Sequence, residues 1–117
     1  MKPNWKPLEE KLGKKRCVGF MFMGRINGIN LYKHGMARVY LNLDDSGHCC
    51  VADGNGGFHR ADFSSELAKL EKALRELGET LESVYDEFYI AQKRETLQMA
   101  GIPMVRINIE PQILSIN

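Results

Sequence analysis

The chain has no apolar run of membrane length. CVGFMFM, at 17–23, is only seven residues, against the roughly 18 of a spanning segment. The basic start MKPNWKPLEEKLGKKR is not followed by a signal-type apolar region, and no small-residue cleavage site follows CVGFMFM. A soluble, cytoplasmic protein is therefore expected. Cysteine is scarce and odd in number, with three in 117 residues and two of them adjacent. That excludes a disulfide framework and suits a reducing compartment. There is no C-x-x-C, no histidine pair at helical spacing, no internal repeat and no low-complexity stretch. Net charge is only +1, which argues against a strongly basic nucleic-acid binder.

The charge that is present is uneven. Residues 1–16 carry six basic and two acidic groups, while 62–95 carry five and nine. The length fits one domain over 1–117. Within it we expect a basic arm or short helix at 1–16, antiparallel strands at 17–53, two helices at 64–100 and a last strand at 102–110. Pro7 and Gly13 bound a short helix from Trp5 to Leu12. CVGFMFM reads as a strand buried on both faces. Leu67, Leu70, Leu74 and Leu77 recur at helical spacing after Ser64 or Ser65 as cap, and Gly78 ends that helix. Thr80 caps a second helix to about Ala100, stopped by Gly101 and Pro103. MVRINIE alternates as a half-buried strand, with PQILSIN as a tail docked by Ile113 and Ile116. The sum is α+β: a mostly antiparallel sheet of about five strands, with an αα-hairpin packed on one face.

Turn chemistry sets the expected register. Gly35 and Gly47 each suit the left-handed position that closes a type I turn with a one-residue bulge. The first turn then pairs Tyr32 with Met36, Leu31 with Ala37 and Ile29 with Val39. The second pairs Asp44 with His48, Leu43 with Cys49, Asn42 with Cys50 and Leu41 with Val51. Apolar residues meet apolar residues in both, as register selection demands. Cys49 then faces inward and Cys50 outward.

GHCCVADGNGGFH, at 47–59, concentrates the chemically versatile side chains. A zinc site fails on geometry, because Cys49 and Cys50 point to opposite faces of a regular strand. Only His48, Cys50 and a looped-back His59 remain as ligand types, and we expect no metal and no cofactor. DGNGG departs from a calcium loop at its required glycine and glutamate positions. It also lacks the Lys-Ser/Thr of a phosphate cradle, so it reads as a connection. Asp44, His48 and Cys50 share one face and supply a carboxylate, an imidazole and a thiol. They are the candidate catalytic set of a hydrolase or transferase. Cys17, after three cationic residues, is a second candidate thiol, although its apolar neighbours suit an ordinary buried cysteine.

The leading expectation is a surface. Asn30, Tyr32, Arg38, Tyr40 and Asn42 would form a polar sheet face that recognises a small anionic ligand or a protein partner, in a binding or regulatory domain rather than an enzyme. The same face with Lys11, Lys14, Lys15, Arg16 and Lys33 would hold nucleic acid through stacking and phosphate contacts. The apolar surplus at Val84–Ala91 points to a homodimer through that helix or the sheet. No contact with a membrane is expected.

Overall fold

A computed structural model describes residues 2–99. Helix α1 (Lys6–Leu12) has Pro7 in its first turn and ends at Gly13, whose φ is +82°. A single-turn helix, α2 (Lys14–Cys17), follows. Five strands then run as an antiparallel meander: β1 (Phe20–Ile26), β2 (Ile29–His34), β3 (Tyr40–Asp44), β4 (Cys49–Ala52) and β5 (Phe58–Arg60). Helices α3 (Phe63–Glu76) and α4 (Leu81–Met99) complete the described chain. The α+β expectation holds, with helices on one sheet face. The predicted strand at 102–110 and the tail after it lie outside the described residues.

The core lies between that sheet face and the helices. Leu8 and Leu12 of α1, Leu70 and Leu74 of α3, and Leu81 and Val84 of α4 pack on Phe20, Tyr32, Leu41, Leu43 and Cys49. Trp5 extends it, stacked on Tyr32 at 5.6 Å and edge-on to Phe22 at 6.2 Å. The helix ends follow local chemistry. Asp62, not Ser64 or Ser65, caps α3 by accepting a hydrogen bond from the Ser65 N–H at 3.0 Å. Thr80 caps α4 as expected: its Oγ1 accepts from the Ser83 N–H, while its own N–H donates to Ser83 Oγ. Gly78, with φ +76°, ends the α3 run, and the Glu79 N–H donates back to the Leu74 carbonyl.

Three strand features differ from expectation. First, CVGFMFM is not buried on both faces. Cys17 closes α2, and β1 is a sheet edge that exposes Met21 at 41% and Met23 at 47%. Asn27-Gly28, both with positive φ, turns β1 into β2, as that dipeptide favours. Second, Gly35 does not close the next turn. The loop runs from Gly35 to Val39, and Arg38 takes the left-handed conformation at φ +60°. The His34 N–H donates to Val39 O, and the Arg38 N–H to His34 O. Tyr32 therefore pairs with Leu41 and Asn30 with Leu43, instead of with residues 36–39. Third, DGNGG is a hairpin turn into β5, not a flexible connection.

The turn at Gly47 forms as expected. Gly47 has φ +90°, its N–H donates to Asp44 O, and Leu43 pairs with Cys49 and Asn42 with Cys50. A bulge in β1 shifts the register between Phe22 and Gly24, leaving Met23 as the extra residue. Its consequence is directional. Phe20 and Phe22 face the helices, and by parity Ile26 would as well. The bulge instead pairs Ile26 with Ile29, on the helix-free face.

Candidate functional site

The expected polar face does not assemble. Asn30 and Tyr32 lie on the helix side of β2 and are fully buried, because their polar tips find partners there. Tyr32 donates its hydroxyl to Asn4 O at 2.5 Å. Asn30 Nδ2 donates to Leu43 O and to Asp45 Oδ1, both at 3.0 Å, and its Oδ1 accepts from Arg25. Burial, with the Asp45 carboxylate next, pushes the Tyr32 phenol up. The bidentate Arg25 pair, with Asn30 next, holds the Asp45 carboxyl well below its usual range. Arg38 sits exposed in the loop. Of the five expected residues, only Tyr40 and Asn42 share the helix-free face.

His34, buried behind them, is also structural. Its Nδ1 accepts from the Met36 and Ala37 N–H groups at 3.2 Å each, so the ring staples the loop beside it. Phe20 packs edge-on at 4.9 Å. A Cβ on Gly19 would stand 2.8 Å from Nε2. Burial pushes the imidazole pKa below its ordinary value.

The carboxylate and imidazole meet, but the thiol does not join them. Asp44 Oδ1 accepts from the Ser46 and His48 N–H groups at 2.9 Å, and Oδ2 lies 3.2 Å from His48 Nδ1. Desolvation pushes that carboxyl up, but the His48 and Ser46 hydrogen bonds outweigh it and hold the group below its usual range. The Cys50 Sγ instead contacts the His48 carbonyl at 4.0 Å. The carboxylate thus serves the turn, the imidazole is exposed, and the thiol is bonded to backbone. Cys17 is not activated: burial, then Glu9, pushes its thiol up to about 11 despite Arg16. Cys49 is likewise raised to about 11, by burial and then Glu66. Among the described residues no three His, Cys, Asp or Glu side chains gather where they could hold a metal ion.

The basic residues divide between two sides of the sheet. Lys11 lies over the Phe63 ring at 5.3 Å and Lys15 over Tyr85 at 4.8 Å. Arg16 Nε donates to Leu12 O at 3.0 Å, and Lys14 is exposed. All belong to α1 and α2, whereas Lys33 lies on the helix-free face, over Tyr40. In α4, Val84 is consumed by the core, and Phe88 is left 47% exposed. Among the described residues no helix is long and apolar enough to cross a membrane.

What the helix-free face does carry is a cavity of about 500 Å³. Its floor is one cross-strand row, Leu31–Asn42–Cys50. Tyr40 and Ala52 flank the row. Ile26, from one outer strand, and Phe58, from the other, line the same space, so the sheet curls around it. The DGNGG turn forms a rim through Gly54, Gly56 and Gly57. Asp53 Oδ1 accepts from the Asn55 and Gly57 N–H groups at 2.7 and 3.1 Å, so those amides face the aspartate rather than an anion. Cys49, Val51 and, from helix α3, Glu66 complete the lining, so the space is not confined to the helix-free face.

Asn42 is the exceptional member. It is 7% exposed, and its Oδ1 is buried without a hydrogen-bond partner. Buried polar atoms are satisfied in the great majority of cases. Sequence reasoning placed Asn42 and Cys50 side by side but missed Leu31, Ile26 and Phe58. The Asn27-Gly28 turn was a readable signal for the first hairpin. The β1 bulge that redirects Ile26 had none.

Family models, curated proteins and solved structures were each compared with the chain, and none matched.

Proposed function

We propose that this domain binds a small organic molecule in the cavity on the helix-free sheet face. The observation that carries the reading is Asn42: a nearly buried amide with an unpartnered oxygen, in a largely apolar concave site. Such sites typically enclose about 300–1,000 Å³ and place a few polar groups among apolar walls, and this cavity is about 500 Å³. The reading keeps the sheet as the recognition surface and moves recognition to Leu31, Tyr40, Asn42, Cys50 and Phe58. Binding without chemistry is favoured, because the thiol in the cavity is bonded to backbone while the nearest imidazole is engaged by Asp44.

Thermal-shift screening against a metabolite library tests it, with wild type beside Ala52→Trp. Ala52 is an exposed strand residue on the cavity wall, so an indole there fills space without entering the core. Compounds that stabilise wild type should lose their effect in the variant. A library with no stabilising compound, or shifts that are equal in both proteins, would refute the reading.

A further inference from the structure

The floor row of the cavity runs on to a cation. We infer that the ligand is a small carboxylate with an apolar, ring-bearing body, and that its anionic end lies over Cys50, between Asn42 and Arg60. This rests on the small-molecule reading above and narrows it. Gly24, Leu31, Asn42, Cys50 and Arg60 are successive cross-strand partners from β1 to β5. Paired residues place their side chains on one face, so Arg60 ends the row that begins at Gly24. Strands about 4.8 Å apart put Arg60 about 10 Å from Asn42, with Cys50 midway. Lys33 stands on the neighbouring row, opposite Tyr40. Its ammonium lies 5.5 Å from the centre of the Tyr40 ring, and Tyr40 lines the cavity. Among the described residues neither cation has a carboxylate within ion-pair distance.

The acidic groups nearby are matched locally. Glu66 pairs with Lys69 at 2.9 Å and Asp44 with His48 at 3.2 Å, while Asp53 accepts from the Asn55 and Gly57 N–H groups. The unmatched charge beside the cavity is therefore positive. The Asn42 amide has the same preference. Its oxygen is buried beyond a ligand's reach, but its Nδ2 is neither buried nor hydrogen-bonded within the protein. An amide N–H donor is the complement of a carboxylate oxygen. Leu31, Tyr40 and Phe58 keep the rest of the space apolar, and the two aromatic rings suit a ring-bearing body. Arg60 is exposed, so a carboxylate beside it keeps water on its outer side and is not stripped of hydration.

Matched pairs of fragments test the inference by NMR titration of the full chain at about pH 7 and low salt: indole-3-acetate with indole-3-acetamide, and 2-naphthoate with 2-naphthamide. The carboxylate should bind about five- to tenfold tighter in each pair, with shifts centred on Asn42, Cys50 and Phe58. Most of that lead should vanish in about 0.5 M salt. Arg60→Gln, at an exposed residue with no hydrogen bond in the protein, should cut the preference about threefold. Adding Lys33→Gln should abolish it, while the amides keep their affinity. Lys72→Gln, at an exposed position further along α3, removes the same charge away from the cavity and should change neither member. Equal binding within the pairs, a preference for the amides, or equal effects of Lys72→Gln and Arg60→Gln overturns the anion inference and leaves the cavity reading standing. Fragments that bind nowhere near Cys50 and Phe58, or not at all, overturn both.

Discussion

Replacing Asn42 by leucine should make the protein more stable. Leucine nearly matches asparagine in shape and branches at the same carbon, so the packing of the backbone is retained. The substitution removes a buried carbonyl oxygen that has no partner. Leaving such a group unsatisfied costs about 1–3 kcal/mol. Its removal also adds apolar surface beside Leu31 and Cys50, its cross-strand neighbours. Part of that surface faces the cavity, so only a fraction of the burial is gained. A net gain of about 1–2 kcal/mol follows. For a domain of 117 residues, this corresponds to a rise in Tm of roughly 3–10 °C. In urea the midpoint should move up with an unchanged slope, because the surface exposed on unfolding hardly alters. Asn42→Asp gives the opposite sign: a carboxylate placed there loses hydration, so the protein weakens above the carboxyl pKa. A fall in stability of 1 kcal/mol or more for Asn42→Leu, with the fold retained, would refute the reasoning. It would mean that the amide contributes to the fold and that its oxygen is satisfied.

Other expectations follow from the same geometry. Gly19→Ala should destabilise by about 2–4 kcal/mol, since φ is +100° and the new Cβ would meet His34 Nε2 at 2.8 Å and Val84 Cγ1 at 2.9 Å; an unchanged urea midpoint would contradict the packing at His34. Because burial lowers the His34 pKa from 6.5, the unfolded chain takes up a proton that the native state resists. Stability should therefore be full above about pH 6.5 and fall as pH drops below it. His34→Gln should flatten that slope between about pH 5 and 7, and an identical slope in the variant would assign it to other groups. Asp62→Ala should cost about 1 kcal/mol through loss of the α3 cap, read from chemical denaturation.

The parts of the fold legible in the sequence were those decided locally. Gly47 could close only one kind of turn, and that turn placed Cys49 opposite Leu43 and Cys50 opposite Asn42. Gly13, Gly78 and Thr80 bounded their helices for equally local reasons. The β2–β3 hairpin was misread because its register was judged by matching apolar residues. Tyr32, Asn30 and His34 look like a surface under that criterion. In the protein each has an apolar body and a polar tip that reaches backbone: Asn4 O, Leu43 O, and the Met36 and Ala37 N–H groups. Polar residues with such partners are stable inside, but the partners are distant in sequence or created by the turn itself. Strand β5 was missed because three residues after a glycine-rich turn carry no period.

The cavity depends on three interruptions in the sheet. The bulge at Met23 turns Ile26 toward the helix-free face, the Gly47 turn does the same for Cys50, and the turn held by Asp53 brings Phe58 back opposite Ala52. They act at different points of the sheet, yet the residues they redirect line one cavity, whose floor row contains Asn42. A sheet face needed only for stability would present an ordinary apolar or solvated residue at position 42. Among the described residues two buried side-chain atoms have no partner, the Asn42 oxygen and His34 Nε2, and only Asn42 lies at the cavity; Asn30, by contrast, is fully engaged. Conflicts of that kind concentrate at functional sites. The contrast between the two asparagines, one fully engaged within the fold and one left open beside a cavity, is therefore the strongest physical reason to look for the function of this protein at Asn42.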